Sequence, residues 1–267
     1  MGDDVEVPRP LKPKPAKKPE RVATRLKQAT EDEKLLAQYD PSHFERPSVT
    51  VDVAILSVVE DKLVTLLHRR ENAPFRGRFA LPGGFLQMDE SLEAAARRVL
   101  LAKAGLRDVY LEQLYTFGHP KRDPRGRVIA VAYYALLDAA RFGHATALQL
   151  PVTVPWSGET GGPVEVRDAS LAPRKLFLDH ADVIGLAIKR LRGKLDYTPI
   201  GFQLLPQEFT LRALQDIHET VRGEELNKDS FRRRMLASGL LEATGARESE
   251  VLHRPAELYR FVKRSAL

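Results

Sequence analysis

With 267 residues, 43% of them hydrophobic, the chain is long enough for two ordinary domains with filled cores, and with no cysteine it can build neither a disulfide framework nor a thiolate metal site. No apolar run approaches the roughly 18 residues of a membrane helix, and the first thirty residues lack the apolar core of a secretory signal, so a soluble cytoplasmic protein is expected. The net charge of +6 comes mostly from residues 1–30, which carry eight Lys and Arg against four Asp and Glu, so the total is weak evidence for a nucleic-acid partner.

That first stretch, centred on PRPLKPKPAKKPE, combines proline and lysine with almost no large apolar residues and cannot offset the entropy of ordering. Residues 1–35 are therefore expected to be a disordered basic tail, either a solubilising segment or an arm with non-specific affinity for phosphate. From Ser48 the pattern changes to TVDVAILSVV, a polar turn at Asp61 and Lys62, then LVTLLHRR, which reads as two paired strands. FALPGGF brings a further strand into a Pro-Gly-Gly turn, and ESLEAAARRVLLAKAG follows as a helix closed by Gly105. Strands are expected near 110–118 and 128–138, a loop or insertion over 139–163, and a helix over DHADVIGLAIKRLRGKL. DYTPIGFQLLP, residues 196–206, reads as a linker or domain seam.

Beyond the seam, Thr210 stands as N-cap of a helix with apolar residues at helical spacing, stopped by Gly223. A second helix starts near Asn227 and breaks near Gly239; LLEATG and VLHRPAELYRF then read as a β-hairpin wing. On the second helix Phe231, Met235 and Leu236 define a core side, while Ser230, Arg233 and Arg234 project away and Arg232 lies at the boundary. Taken alone, an Arg run is most simply a solvated helix face; on the second helix of a winged pattern it points to double-stranded DNA. Candidate DNA contacts are Asn227, Lys228, Ser230, Arg232, Arg233 and Arg234, with Arg247 and Arg254 in the wing.

The segment Gly84 to Leu106 resembles the Nudix box, G-x5-E-x7-R-E-U-x-E-E-x-G-U, through Gly84, Glu90, Arg98, Leu100, Gly105 and Leu106. Its departures fall on the cation-binding glutamates, replaced by Val99, Ala102 and Lys103. Hard Mg²⁺ needs oxygen ligands, so Glu90 and Glu93 alone make a poor metal site, and no catalytic or metal-binding residue is assigned. An ammonium at Lys103 can still favour a diphosphate without metal, so binding without turnover is expected. Candidate effector contacts are Arg69, Arg70, Phe75, Arg78, Gly83, Gly84, Phe85, Glu90, Arg98, Lys103, His119 and Arg122. For Arg98 the simpler alternative is a structural ion pair, and for His119 a satisfied loop histidine.

The degenerate box, the AQYDPSHFERPSVTVDV lead-in and the FTLRALQ, NKDSFRRRML and LYRF segments together resemble the NrtR family, the Nudix-related transcription regulators of NAD metabolism, over about residues 36–264. The resemblance implies an α+β protein: a Nudix α/β/α sandwich with a mixed sheet over 36–197, followed by a winged helix-turn-helix over 198–267. It also implies a homodimer that represses genes of NAD synthesis or salvage at the nucleoid, with no cofactor and with ADP-ribose or another NAD-derived nucleotide as effector. The rival readings are a Nudix pyrophosphatase acting on ADP-ribose-type substrates through relocated metal ligands, and a winged helix that binds protein.

Overall fold

The computed structural model describes residues 30–170, 172–195, 198–249 and 254–262, with Pro41 described in its backbone alone. The chain divides into two compact units, Met1–Arg46 and Pro47–Leu267. The expected disorder of residues 1–29 lies outside the described residues. Inside the range assigned to the tail, however, helix α1 (Glu31–Gln38) has already begun. Thr30 and Glu33 form a reciprocal capping box that satisfies two of the backbone donors a helix start leaves open, a local signal that composition alone overrides. A 3-10 turn follows at Pro41–His43.

The larger unit begins with strand β1 (Ser48–Val59), whose side chains alternate between two cores. Val51, Val53 and Ile55 face one side; Ala54, Leu56 and Val58 face the other. Strand β2 (Lys62–Arg69) returns antiparallel, β3 (Phe79–Ala80) pairs with β2, and β4 (Gly83–Phe85) pairs with β1. Helix α2 (Leu92–Ala104) is capped by Ser91 and closed by Gly105 at φ +69. Strands β5 (Tyr110–Phe117) and β6 (Val128–Leu136) complete this edge, with β6 parallel to β1.

The expected loop over 139–163 is partly ordered. Asp138 caps a short helix α3 (Ala139–Gly143), and β7 (Leu148–Thr153) pairs with β2, burying Leu150 and Val152. The Gly and Pro content suggested a loop, whereas this alternation buries a strand face once β2 offers an edge. Strands β8 (Glu165–Arg167) and β9 (Pro173–Arg174) extend the sheet, giving the order β5-β6-β1-β2-β7-β8-β9. Helix α4 (His180–Lys194) covers the face opposite α2, so the mixed sheet lies between helical layers as expected.

Residues 199–204 of the expected seam form a 3-10 helix (Pro199–Leu204) with Ile200, Gly201 and Leu204 buried. After β10 (Glu208–Phe209) come α5 (Leu211–Arg222) and α6 (Lys228–Ala237). Their caps are those read from sequence, Thr210 accepting from the Ala213 amide, Asn227 from that of Ser230, and Gly223 adopting φ +74 after α5. Strands β11 (Leu241–Arg247) and β12 (Glu257–Phe261) form the wing, with β10 on the far side of β12. Leu211, Leu214, Ile217, Val221, Phe231 and Tyr259 belong to the same hydrophobic cluster as Val183, Ile184, Ala187 and Leu191 of α4. Leu236, placed on the core side by helical spacing, is instead 45% exposed, because α6 ends one residue later and no described element covers it.

Candidate functional site

Where β1 meets the β4 turn, the apolar strand carries one charged residue, Asp52. Gly83 lies against it so closely that a Cβ there would stand 2.2 Å from Asp52 Oδ1 and 3.1 Å from the Val51 carbonyl. The close approach, rather than backbone conformation, is what demands glycine. Around this point opens a cavity of about 200 Å³, lined among others by Thr50, Asp52, His68, Arg70, Gly83 and Gly84. Its far wall is Arg122, Asp123, Arg125, Phe177 and His180, brought from the β5–β6 connection and the start of α4.

Its polar groups are ordered by one another. Arg122, nearly buried, donates to both carboxylate oxygens of Asp179 at 2.9 and 2.6 Å and lies 3.8 Å from Asp52. His180 accepts the Leu81 amide on Nδ1 at 2.9 Å, which puts its proton on Nε2, 3.9 Å from Asp52 Oδ2. Burial holds the His180 imidazole down to about 3 and pushes the Asp52 carboxyl up to about 6 despite Arg122. Arg125 forms a fork on Asp123, closing at 2.6 Å, and holds that carboxyl below its usual range. Arg70 has no carboxylate in contact among the described residues; its guanidinium lies 4.1 Å over the Phe177 ring and donates to the Pro74 carbonyl. Sharing His68 and Arg70 with this cavity is an open depression that also includes Arg69, Glu71, Asn72 and Lys103.

Of the residues expected at an effector site, Arg70, Gly83, Gly84, Phe85 and Arg122 line the cavity, and Arg69 and Lys103 line the depression beside it. Phe75 stands behind the wall, edge-on to Phe177 at 5.6 Å, with Arg78 4.7 Å over its ring. Glu90 and Arg98 are spent on each other. Arg98 makes two bonds to the carboxylate, at 2.9 and 2.5 Å, and one to the Phe85 carbonyl, tying α2 to the glycine turn; the guanidinium keeps Glu90 down to about 2. His119 is an exposed loop residue accepting the Lys121 amide, away from the cavity. At the three altered box positions, Val99 is in the core while Ala102 and Lys103 are exposed. Glu93 pairs with Arg97 one turn on, and among the described residues no group of three or more His, Asp or Glu is arranged to hold a metal.

Sequence reasoning missed Thr50, Asp52, His68, Asp123, Arg125, Phe177 and His180. Asp52 had a readable signal, being the one charged residue between Val49 and Val59. Phe177 and His180, by contrast, reach the cavity only through the packing of α4.

On the winged element, Lys228, Ser230, Arg232, Arg233 and Arg234 are exposed along α6, while the Asn227 side chain is committed to its cap. Arg232 turns toward the groove between α6 and the wing, lined also by Phe231 and Tyr259, and Arg234 lies 5.5 Å over Phe231. Arg247 and Arg254 are exposed on the wing, Arg247 donating to the Pro255 carbonyl. No described helix is long and apolar enough to cross a membrane.

Residues 48–148 match the NUDIX domain, and residues 201–261 the NrtR DNA-binding winged helix domain. The chain is 40% identical over 233 residues to the ADPR responsive transcriptional repressor NtrR of Acinetobacter baylyi, covering 86% of this chain and 88% of that protein. It is 39% identical over 138 residues to the ADP-ribose pyrophosphatase of Methanocaldococcus jannaschii, covering 52% of this chain and 71% of that protein. The crystal structure of Shewanella oneidensis NrtR complexed with a 27mer DNA superposes with a TM-score of 0.66 at 33% identity, over 80% of this chain and 93% of that one.

Proposed function

The chain belongs to the NrtR family of Nudix-related transcription regulators, and from that premise we propose that it is a homodimeric repressor of NAD synthesis or salvage genes, acting on operator DNA at the nucleoid and controlled by ADP-ribose. The carrying observation is the cavity beside α2. Where the box of a hydrolase presents carboxylates, this helix presents a core valine, an exposed alanine and Lys103, the last in a depression shared with Arg69 and Arg70. Arg122 and Arg125 are already matched by Asp179 and Asp123, so the cations left over suit a ligand diphosphate held without Mg²⁺. Phe85, 54% exposed at the cavity wall, offers a face on which a base can stack.

The test is a promoter-shift titration with and without ADP-ribose, alongside a phosphate-release assay with Mg²⁺ or Mn²⁺. A change in operator affinity without hydrolysis is expected. Metal-dependent turnover that disappears in Glu90→Gln refutes the sensor reading. That outcome would favour the second reading, a pyrophosphatase, for which the likeness to the M. jannaschii enzyme is the specific support.

A further inference from the structure

Helix α4 touches both the cavity and the helix-turn-helix, as do β1 and β2, and it alone of the three begins at the cavity with Asp179 and His180 and carries a buried arginine at its other end. At its start, Asp179 takes both donors of Arg122, and His180 takes the Leu81 amide from the β3–β4 turn. Twelve residues further on, about 18 Å along the axis, Arg192 is buried. Its Nε donates at 2.6 Å to the carbonyl of Val221 in the last turn of α5, where no intrahelical donor is available. A cation at a helix C-terminus is favoured by the helix dipole as well. The same guanidinium donates to the carbonyls of Trp156 and Gly158 at 3.2 and 3.1 Å and lies 4.7 Å from the Trp156 ring. Among the described residues no carboxylate lies in ion-pair contact with it.

Four further contacts bind the elements on either side of this bond. Between the two ends, Gly185 lies against the Gly162 carbonyl so closely that a Cβ would stand 1.7 Å from it, so the 156–163 segment forms a fitted rail along α4. Beyond Val221, the turn into α6 is bound to α5. Gln215 donates to the Leu226 carbonyl at 2.9 Å, Glu219 accepts the Leu226 amide at 2.9 Å, and His218 packs edge-on against Phe231.

We propose that α4 is the strut by which the cavity controls DNA binding, and that Arg192 is the positioning residue that fastens it to the helix-turn-helix. A diphosphate drawn to Arg70 acts on Phe177, whose ring lies under Arg70 and edge-on to His180 at 5.2 Å; this shifts the start of α4, and the shift reaches α6 through Arg192 and the last turn of α5. This rests on ADP-ribose being the effector. Because coupling is a difference between two affinities, it can be lost while each affinity survives, which a merely structural defect would not produce.

The experiment measures binding of the full chain to a duplex selected from random sequence by the wild-type protein, with and without saturating ADP-ribose, for wild type, Arg192→Lys and Arg192→Met. In wild type the factor between the two affinities is expected on the order of 5–150, and in both variants it should fall to about 1 while each variant still binds DNA and ADP-ribose. Folded variants that retain the wild-type factor overturn the strut and leave the functional reading standing. A wild-type protein indifferent to ADP-ribose overturns the functional reading, and this inference with it. Should both variants lose their melting transition, hydrogen exchange on wild type decides: ADP-ribose should alter protection in the last turn of α5 and in α6, and unchanged protection there overturns the proposal.

Discussion

Asp52 and Arg70 show how little of a binding site resides in residue type alone. An aspartate in an apolar strand has to be matched or neutralised; here Arg122 stands near it, and burial still raises its carboxyl to about 6. Arg70 is matched by an aromatic face instead of a carboxylate, which leaves its charge available to a ligand. Arg70→Ala is expected to weaken ADP-ribose binding about tenfold, near 1.4 kcal/mol and within the range of a desolvated cation–π and phosphate contact. Isothermal titration checks it, and unchanged affinity would mean that Arg70 serves only the packing of Phe177. Arg98 carries the opposite lesson. It resembles a ligand contact by motif, but Glu90 and the Phe85 carbonyl occupy its Nε and Nη2 donors, and it holds the glycine turn to α2.

At the scale of elements, local chemistry placed most boundaries. Ser91, Thr210 and Asn227 cap the helices they precede, and Gly105 and Gly223 take the left-handed conformation where those helices stop. Helix α6, proposed as the recognition helix, keeps Arg233 exposed on the side away from Phe231, as helical spacing predicts. Arg233→Ala should cost about 1–3 kcal/mol of operator affinity if it reads a base edge, and should lower the salt slope if it reads phosphate. Unchanged binding at matched salt, measured by fluorescence anisotropy, would remove α6 from the groove. Among the elements that sequence missed, α3 and β7 have short patterns that become structure only against β2 and the core around Phe142.

Across the whole molecule, burial couples folding to pH. His180 and His218 are held down to about 3 and about 4, so the unfolded chain takes up protons near 6.5 that the fold refuses, and stability is lost as pH falls from 6.5 toward 4. Asp52 opposes this: raised to about 6, it keeps a proton in the fold that the unfolded chain releases above 3.8, so its contribution is present at low pH and lost as pH rises through 6. Burial holds His68 down as well and raises Asp182 and Asp216 alongside Asp52; with Asp52 shifted most among these carboxyls, the three histidines, ordinarily near 6.5, give a net loss on acidification from pH 7. The urea midpoint should therefore drop between pH 7 and pH 5, and drop less in His218→Gln; equal drops would show that His218 is not the residue titrating.

The sequence by itself determined what depends on neighbours along the chain: strand alternation, helix caps, the glycine turn, the altered box at Val99, Ala102 and Lys103, and the arginines of α6. These follow from periodicity and backbone conformation, which are set within a few residues. Tertiary structure alone decided that Phe177 and His180 line one cavity with Asp52 on the α4 face of the sheet, that Arg192 ends on the last turn of α5, and that residues 199–204 are packed. Each of those joins residues far apart in sequence, and such contacts are selected by which faces find a partner to bury against, a property of the assembled layers and not of any segment.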